Sequence, residues 1–389
     1  MARAQNTDVE RSLGRRMRGA AGLAALAGLA WVARDVPAAL GGRLSGARAE
    51  RAARSPQFRE GTFHNRAGTR TMIAEPGRNL VRELIFGKQK RRPTAPVPLL
   101  RPSASVPPGP ASEPTATDTT GELNIVWYGH ASTLIEIEGR RVLLDPVWSE
   151  RCSPSGIVGP RRLHEPPVGI DELPPLDAIL ISHDHYDHLD MATVRALLAG
   201  QSAPFLVPLG VGAHLDRWGV PAERIIELDW SESHQVAGLE ITATAAQHFS
   251  GRGLRRDGTL WSSWVVAGAH RKVFYTGDSG YFDGYAEIGA EHGPFDVTLM
   301  QIGAYDRAWP TIHMFPEEAV SAHLDLRGGL FVPVHWATFN LALHDWSEPV
   351  DRLWAEAKAR DVRLAVPRPG ERVVVDEPPA VDGWWQAVA

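Results

Sequence analysis

The sequence predicts an α/β or α+β fold with layered sheets, on three observations. From Gly121 onward, short apolar runs alternate with helix-period stretches, so strands and helices interleave to the end of the chain. Hydrophobic residues make up 43% of the 389 positions and charged residues 22%, a balance that supports a large core in a water-soluble body. No short tandem repeat interrupts the series, which argues against a solenoid.

Each element has its own signal. "LNIVWYGH" and "STLIEIEGRRVLLDP" read as strands joined by a turn at Glu138–Arg140. "LDAILISH" is a buried strand, and "MATVRALLAG" a helix ending at Gly200. "PFLVPL", "RIIEL" and "LEITATAAQH" are further strands. "SSWVVAGAHRKVFYTGDSG" predicts a hairpin turning near Ala269–Arg271. "FDVTLMQIG" is a strand, "PEEAVSAHLDL" a helix with Pro316 in its first turn, and "GLFVPVHW" a strand. "EPVDRLWAEAKAR" is a helix, and "RLAVP" and "ERVVVD" are the closing strands.

The chain divides into three parts. Residues 1–40 form a basic, hydrophobic anchor or signal-like segment: Arg11, Arg15, Arg16 and Arg18 precede the uncharged run Gly19–Ala33. Its 15 residues are shorter than the roughly 20 that cross a bilayer squarely. Arg15-Arg16 weakly resembles a twin-arginine export signal, but no clean small-x-small cleavage site follows. An uncleaved anchor or membrane-surface helix is therefore expected, and with it a membrane-associated protein; an Ala-rich helix packed on the domain is the alternative. Residues 41–120 are an N-terminal extension, with a short helix at Asn79–Phe86 and a Pro-, Ser- and Thr-rich linker from Arg91 to Thr120. Residues 121–389 are the expected globular domain.

Charge follows the same division. Residues 1–120 hold 20 Lys+Arg against 9 Asp+Glu, and the remainder 21 against 37. A basic arm on an acidic body suits an anionic surface for the arm, whereas the acidic body disfavours nucleic acid as a partner. Cys152 is the only cysteine, which excludes an intrachain disulfide and a cysteine-based metal cage.

The run "ISHDHYDHLD" (181–190) concentrates the chemistry. His183 and His185 stand two apart on an extended segment and point the same way, while Asp187 and His188 follow where the chain turns and can face a second centre. So many ionisable side chains are costly to bury without a partner. Three predicted strands end in histidines, at His183, His248 and His335, and a fourth runs out into Gly277-Asp278. Such ends place imidazoles and carboxylates together at a sheet edge, as a site for zinc or a similar ion requires. On spacing alone, His248 and His335 read equally well as ligands or structural histidines, and Asp278 as a turn former. His214, His234 and His270 read as structural or exposed.

These motifs resemble the metallo-β-lactamase superfamily, and within it the N-acyl-phosphatidylethanolamine-hydrolysing phospholipase D family. The likeness covers about residues 122–372, through "GHASTLIEI", "LLDPVWSERCSPSGIVGPRRLHEPP", "AILISHDHYDHLD", "QHFSGR", "YTGDSGYF", "IGAYDRAW" and "VHWATFNLALHDWSEP". It implies a four-layer αββα sandwich with two Zn²⁺ at one sheet edge; the same donors accept iron or manganese. His183, His185 and His248 would hold one ion and Asp187, His188 and His335 the other, with Asp278 bridging. The resemblance puts His313 and Tyr186 beside the substrate; a zinc-held water or His313 is the expected proton donor to the leaving group. Asp145 is expected to hydrogen-bond a ligand histidine, and His130 to lie buried beneath the site. Arg161 and Arg162, in a Gly- and Pro-rich loop, are candidate anion contacts. Ile312 stands where the mammalian enzymes carry an amide, so a changed head-group contact is implied.

The implied activity is phospholipase D-type phosphodiester hydrolysis of N-acyl-phosphatidylethanolamine-like phospholipids, giving phosphatidic acid and an N-acylethanolamine. A lactonase acting on sugar-phosphate or acyl lactones shares the same metals. A non-enzymatic, zinc-stabilised membrane module predicts filled metal sites without turnover.

Overall fold

The computed structural model describes residues 36–66, 68, 69, 73, 77–102 and 121–389. The N-terminal part holds helix α1 (Gly46–Ala52), the short hairpin β1 (Phe58–Arg59) and β2 (Thr62–Phe63), and helix α2 (Leu80–Phe86), whose cap Asn79 accepts from the Arg82 amide. The body then runs β3 (Leu123–Gly129), β4 (Ser132–Ile137), β5 (Arg140–Leu144), β6 (Ala178–Leu180), α3 (Met191–Gly200), β7 (Phe205–Pro208), α4 (Gly212–Arg217) and β8 (Ile225–Leu228). It continues through β9 (Ser233–Val236), β10 (Leu239–Thr244), β11 (Ser263–Ala267), β12 (Lys272–Tyr275), α5 (Gly284–Glu291), β13 (Phe295–Gln301), α6 (Pro316–Asp325), β14 (Gly328–Val334), α7 (Glu348–Ala359) and β15 (Arg372–Val374).

The strands make two large sheets, in the orders β15-β3-β4-β5-β6-β7-β8 and β14-β13-β12-β11-β10-β9. Each is antiparallel at one end and parallel at the other, with parallel pairing from β5 to β8 and from β12 to β14. Period-two alternation decides what each face meets. Ile125, Trp127, Ile135, Val142 and Leu180 pack in one core with Ile241, Val266, Leu299 and Val332 of the second sheet. Their neighbours Val126, Tyr128, Leu134, Leu143 and Ile179 face the other way, onto Val194 and Leu197 of α3 and Leu215 of α4. Helices α5, α6 and α7 add Tyr285, Ile288, Val320 and Leu353 to the larger core, and α6 touches both β13 and β14. This is the αββα sandwich. Because both faces of the sheets are covered, strands such as β3 are buried along their whole length and read as continuous apolar runs.

Two expectations change. Contact with the body begins well upstream of Gly121. Ala52 and Phe63 form an apolar cluster with Leu209, Trp230, Leu260 and Trp261. The first part of the expected linker also lies along the body, the Thr94 amide donating to Val388 O at 2.8 Å and the Leu100 amide to Pro369 O at 2.9 Å. "RLAVP" supplies an isolated bridge, Phe331 to Leu364, in place of the expected strand: the Phe331 amide donates to Arg363 O at 2.9 Å and the Ala365 amide to Phe331 O at 3.0 Å. Residues 103–120 and the apolar run Gly19–Ala33 lie outside the described residues. Among those described, no helix is long and apolar enough to cross a membrane.

Candidate metal centre

Four chain segments deliver the site to one edge of the sandwich. Beyond β6 the chain passes Ser182 into the loop 183–189, which Asp190 terminates by capping α3, its carboxylate accepting from the amides of Ala192 and Thr193. β10 stops at Thr244, four residues short of His248, so His248 sits in irregular chain rather than at the strand's last position. The carboxylate Asp278 follows β12 after a tight turn at Gly277. There φ is +56°, and a Cβ would stand 2.5 Å from Ser182 Cβ, so only glycine fits. His335 follows directly on β14. It has a left-handed backbone (φ 64°), as do His130 (φ 52°) and Asp145 (φ 36°). Such conformations cost about 1–3 kcal/mol each and tend to gather where function demands them.

The predicted ligands converge. His183 Nε2 lies 2.8 Å from His185 Nδ1, which lies 3.2 Å from His248 Nε2. In the second group, His335 Nε2 is 3.1 Å from Asp187 Oδ2, and His188 Nε2 is 3.5 Å from the same oxygen. Asp278 Oδ2 stands between the groups, 3.1 Å from the Nε2 atoms of His188 and His335 and 3.8 Å from those of His183 and His248. His130 Nε2 is 3.0 Å from Asp187 Oδ2.

Electrostatics shows what this cluster suits. Burial opposes charge on Asp187 and Asp278, yet the surrounding imidazoles outweigh it and hold both well below the usual carboxylate range. Burial also opposes protonated His188 and His335, but the carboxylates prevail, raising His188 well above its ordinary value and His335 to about 8. Burial keeps His183 and His248 neutral, well below the usual histidine range. Their outer nitrogens are committed: His248 Nδ1 donates to Ile312 O at 2.9 Å, and His183 Nδ1 to Ser182 Oγ at 3.0 Å. Both bare Nε2 lone pairs therefore face His185 Nδ1, and one proton there satisfies only one of them. His188 Nε2 and Asp278 Oδ1 are buried without a hydrogen-bond partner. Converging lone pairs beside two ionised carboxylates suit cations, so the donor set fits the metal pair implied by the resemblance.

Asp145 does what was expected of it. Fully buried, its carboxylate accepts from His188 Nδ1 at 2.6 Å, from the Ser182 amide at 2.7 Å, and from the hydroxyls of Ser182 and Tyr275. His188 is thereby held with Nε2 aimed inward. His313 Nδ1 lies 4.0 Å from Asp278 Oδ2 and has no hydrogen-bond partner; burial holds its pKa down to about 4. Tyr186 is tied to the neighbouring loop, its hydroxyl donating to Arg252 O at 2.7 Å and its ring 4.0 Å from the Arg252 guanidinium.

The anion-contact expectation fails for Arg162. Its guanidinium is buried and donates to the carbonyls of His164 (2.8 Å) and Trp148 (3.2 Å), because the loop that looked exposed folds over it. Arg161 stays at the surface, paired with Glu150. Ile312 meets the site through its carbonyl, on His248, with its side chain buried. Three contributors escaped sequence reasoning. Ser182 carried a signal, sitting beside His183 at the strand end. Arg252, whose guanidinium donates to the carbonyls of Asp184, Leu189 and Ala39, closes the family-like run "QHFSGR" but had no role assigned, and Asn65, bonded to the main chain of His248, carried no signal, since its partner lies far away in sequence.

A two-sheet sandwich with a buried His/Asp cluster at its edge defines a metal-dependent hydrolase. Residues 140–336 match the model of the beta-lactamase superfamily domain, and the chain belongs to that superfamily, in its metallo-β-lactamase branch. An uncharacterized protein of Mycobacterium tuberculosis is 51% identical over 380 residues, 96% of this chain and 99% of that one. The N-acyl-phosphatidylethanolamine-hydrolyzing phospholipase D 1 of Caenorhabditis elegans is 36% identical over 267 residues, 65% of this chain and 75% of that one. Among solved structures, a metallo hydrolase from the archaeon Ignicoccus hospitalis has a TM-score of 0.50 at 21% identity, over 64% of this chain and 97% of that one, a likeness of fold alone.

Proposed function

We propose that this protein is a zinc-dependent phosphodiesterase of phospholipase D type, acting on N-acyl-phosphatidylethanolamine-like lipids. The observation that carries this reading is the similarity to the worm phospholipase over three quarters of that enzyme's length, combined with a complete His/Asp cluster in this chain. His183, His185 and His248 would hold one ion, Asp187, His188 and His335 the other, with Asp278 shared between them. Such a pair supplies an acidified water nucleophile and positive charge for the phosphoryl oxygens. The residues do the rest. Asp145 and the Ile312 carbonyl orient His188 and His248, and His130 orients Asp187. His313, beside Asp278 and with Nδ1 unpaired, is neutral near pH 7 because burial holds its pKa down to about 4, so it would serve the departing alkoxide only as a relay, handing on a proton taken from the attacking water. Water adds to phosphorus, the P–O bond to ethanolamine breaks, and phosphatidic acid and N-acylethanolamine leave.

The test is mass-spectrometric: purified protein against N-acylated and ordinary phospholipids, beside lactones. Release of N-acylethanolamine is expected, lost after dialysis against a chelator and restored by Zn²⁺, with about two metal ions per chain by elemental analysis. Lactone opening with the lipids untouched would overturn the substrate. A full activity at zero bound metal would overturn the metal centre.

A lipid substrate gives the basic, apolar N-terminus a role, holding the enzyme where its substrate lies. Deleting residues 1–34 is expected to abolish sedimentation with anionic vesicles while leaving turnover of detergent-dispersed lipid within about twofold, since about 1 kcal/mol of attraction per surface Lys or Arg acts only at a membrane. Unchanged sedimentation refutes the anchor.

A further inference from the structure

We infer that Asn65 is a positioning residue for His248, and that through it the N-terminal segment forms part of the metal centre. The inference rests on the metal reading above. Asn65 Nδ2 donates to His248 O at 2.7 Å, and Asn65 Oδ1 accepts from the His248 amide at 3.1 Å. One side-chain amide thus grips both main-chain polar groups of a ligand 183 residues away. The grip is itself fixed: Trp261 Nε1 donates to the same Oδ1 at 2.9 Å, and Nδ2 also donates to Thr69 Oγ1 at 2.9 Å. Every hydrogen-bonding direction of the amide is used, and Asn65 has no second orientation that serves all four partners.

His248 needs such a clamp more than the other ligands do. The His335 amide is held by His130 O and the His188 amide by His185 O, both within the body. His248 lies beyond the end of β10, where no strand ladder continues, and it is fully buried. Without Asn65 its N–H and C=O would be left unsatisfied away from water, at a penalty that favours displacement of the chain. The bond from His248 Nδ1 to Ile312 O sets the ring's rotation, whereas the Asn65 clamp sets where the ring is placed. Asn65 is carried in turn by the β1–β2 hairpin, whose Phe63 is 1% exposed and whose amide donates to Asp257 O at 2.8 Å. A residue from outside the matched superfamily domain therefore governs one of its metal ligands.

The experiment uses the full-length chain loaded with Co²⁺, followed by chelator competition and by the ligand-field absorption of the bound ion. In Asn65→Ala, one of two ions is expected to be lost with roughly 10- to 100-fold weaker affinity and an altered absorption band. Phe63→Leu weakens the hairpin's packing without touching His248. It is expected to unfold at lower temperature while keeping wild-type metal affinity and spectrum. If Asn65→Ala does not fold, Asn65→Asp carries the same comparison, since it keeps the acceptor for the His248 amide and loses the donor to His248 O. Wild-type affinity and spectrum in the Asn65 variant overturn the inference, as does an equal loss in Phe63→Leu. A wild-type chain that binds no Co²⁺ overturns the metal reading itself, and this inference with it.

Discussion

Asp278→Asn is expected to lower hydrolysis on the order of 10²–10³-fold or more and to reduce the metal content below that of the wild type. The substitution preserves shape and removes only charge, so its effect isolates electrostatics. Asp278 Oδ2 lies within 4.0 Å of nitrogens from His183, His188, His248, His313 and His335. An amide placed there turns either a neutral oxygen or an N–H toward lone pairs that face inward. The cluster then keeps Asp187 as its only carboxylate, with half the negative charge that offsets two cations. Activity assays paired with elemental analysis of the same preparation decide the matter. Wild-type turnover at full metal content would end the idea that this carboxylate is shared.

The second large effect is one of stability. Asp145→Ala is expected to cost about 3–5 kcal/mol, the range for breaking a buried charged pair by removing one partner. Asp145 is fully buried and satisfies a main-chain N–H, two hydroxyls and an imidazole at once. Removing it strands all of these donors away from water. Unfolding in denaturant, measured with chelator present so that bound metal contributes nothing, should show the loss directly. The same variant should also bind metal roughly 10- to 100-fold more weakly, because His188 loses the bond that sets its tautomer. A loss of stability below about 1 kcal/mol would mean that Asp145 is a turn residue and little more.

The position of Asp145 shows what a sequence makes legible. Asp145 ends an apolar strand, "RRVLLDP", and His183 ends another, "AILISH"; β5 and β6 pair in parallel, so their ends arrive together. The candidate ligands His183 and His185 were legible because a buried strand announces itself by composition and terminates at an edge. His248, His335 and Asp278 became candidate ligands only through family resemblance, and three irregular residues separate His248 from β10. Arg162 was misjudged for a similar reason. A Gly- and Pro-rich loop looks exposed whether it extends into solvent or, as here, folds back and buries a guanidinium among its own carbonyls.

The sequence by itself determined an α/β body with layered sheets, most strand and helix positions, and the histidine- and aspartate-rich run at 183–188; the two-sheet sandwich and the other members of the cluster were expected only through the family resemblance. Periodicity and strand punctuation are local signals, carried by residues a few positions apart. Only the tertiary structure decided that the N-terminal segment belongs to the site, through Asn65 on His248, and that Arg252 joins Ala39 to the loop bearing Asp187 and His188. Those bonds run from side chains to main-chain atoms of distant residues, and a main-chain carbonyl or amide has no letter in the sequence.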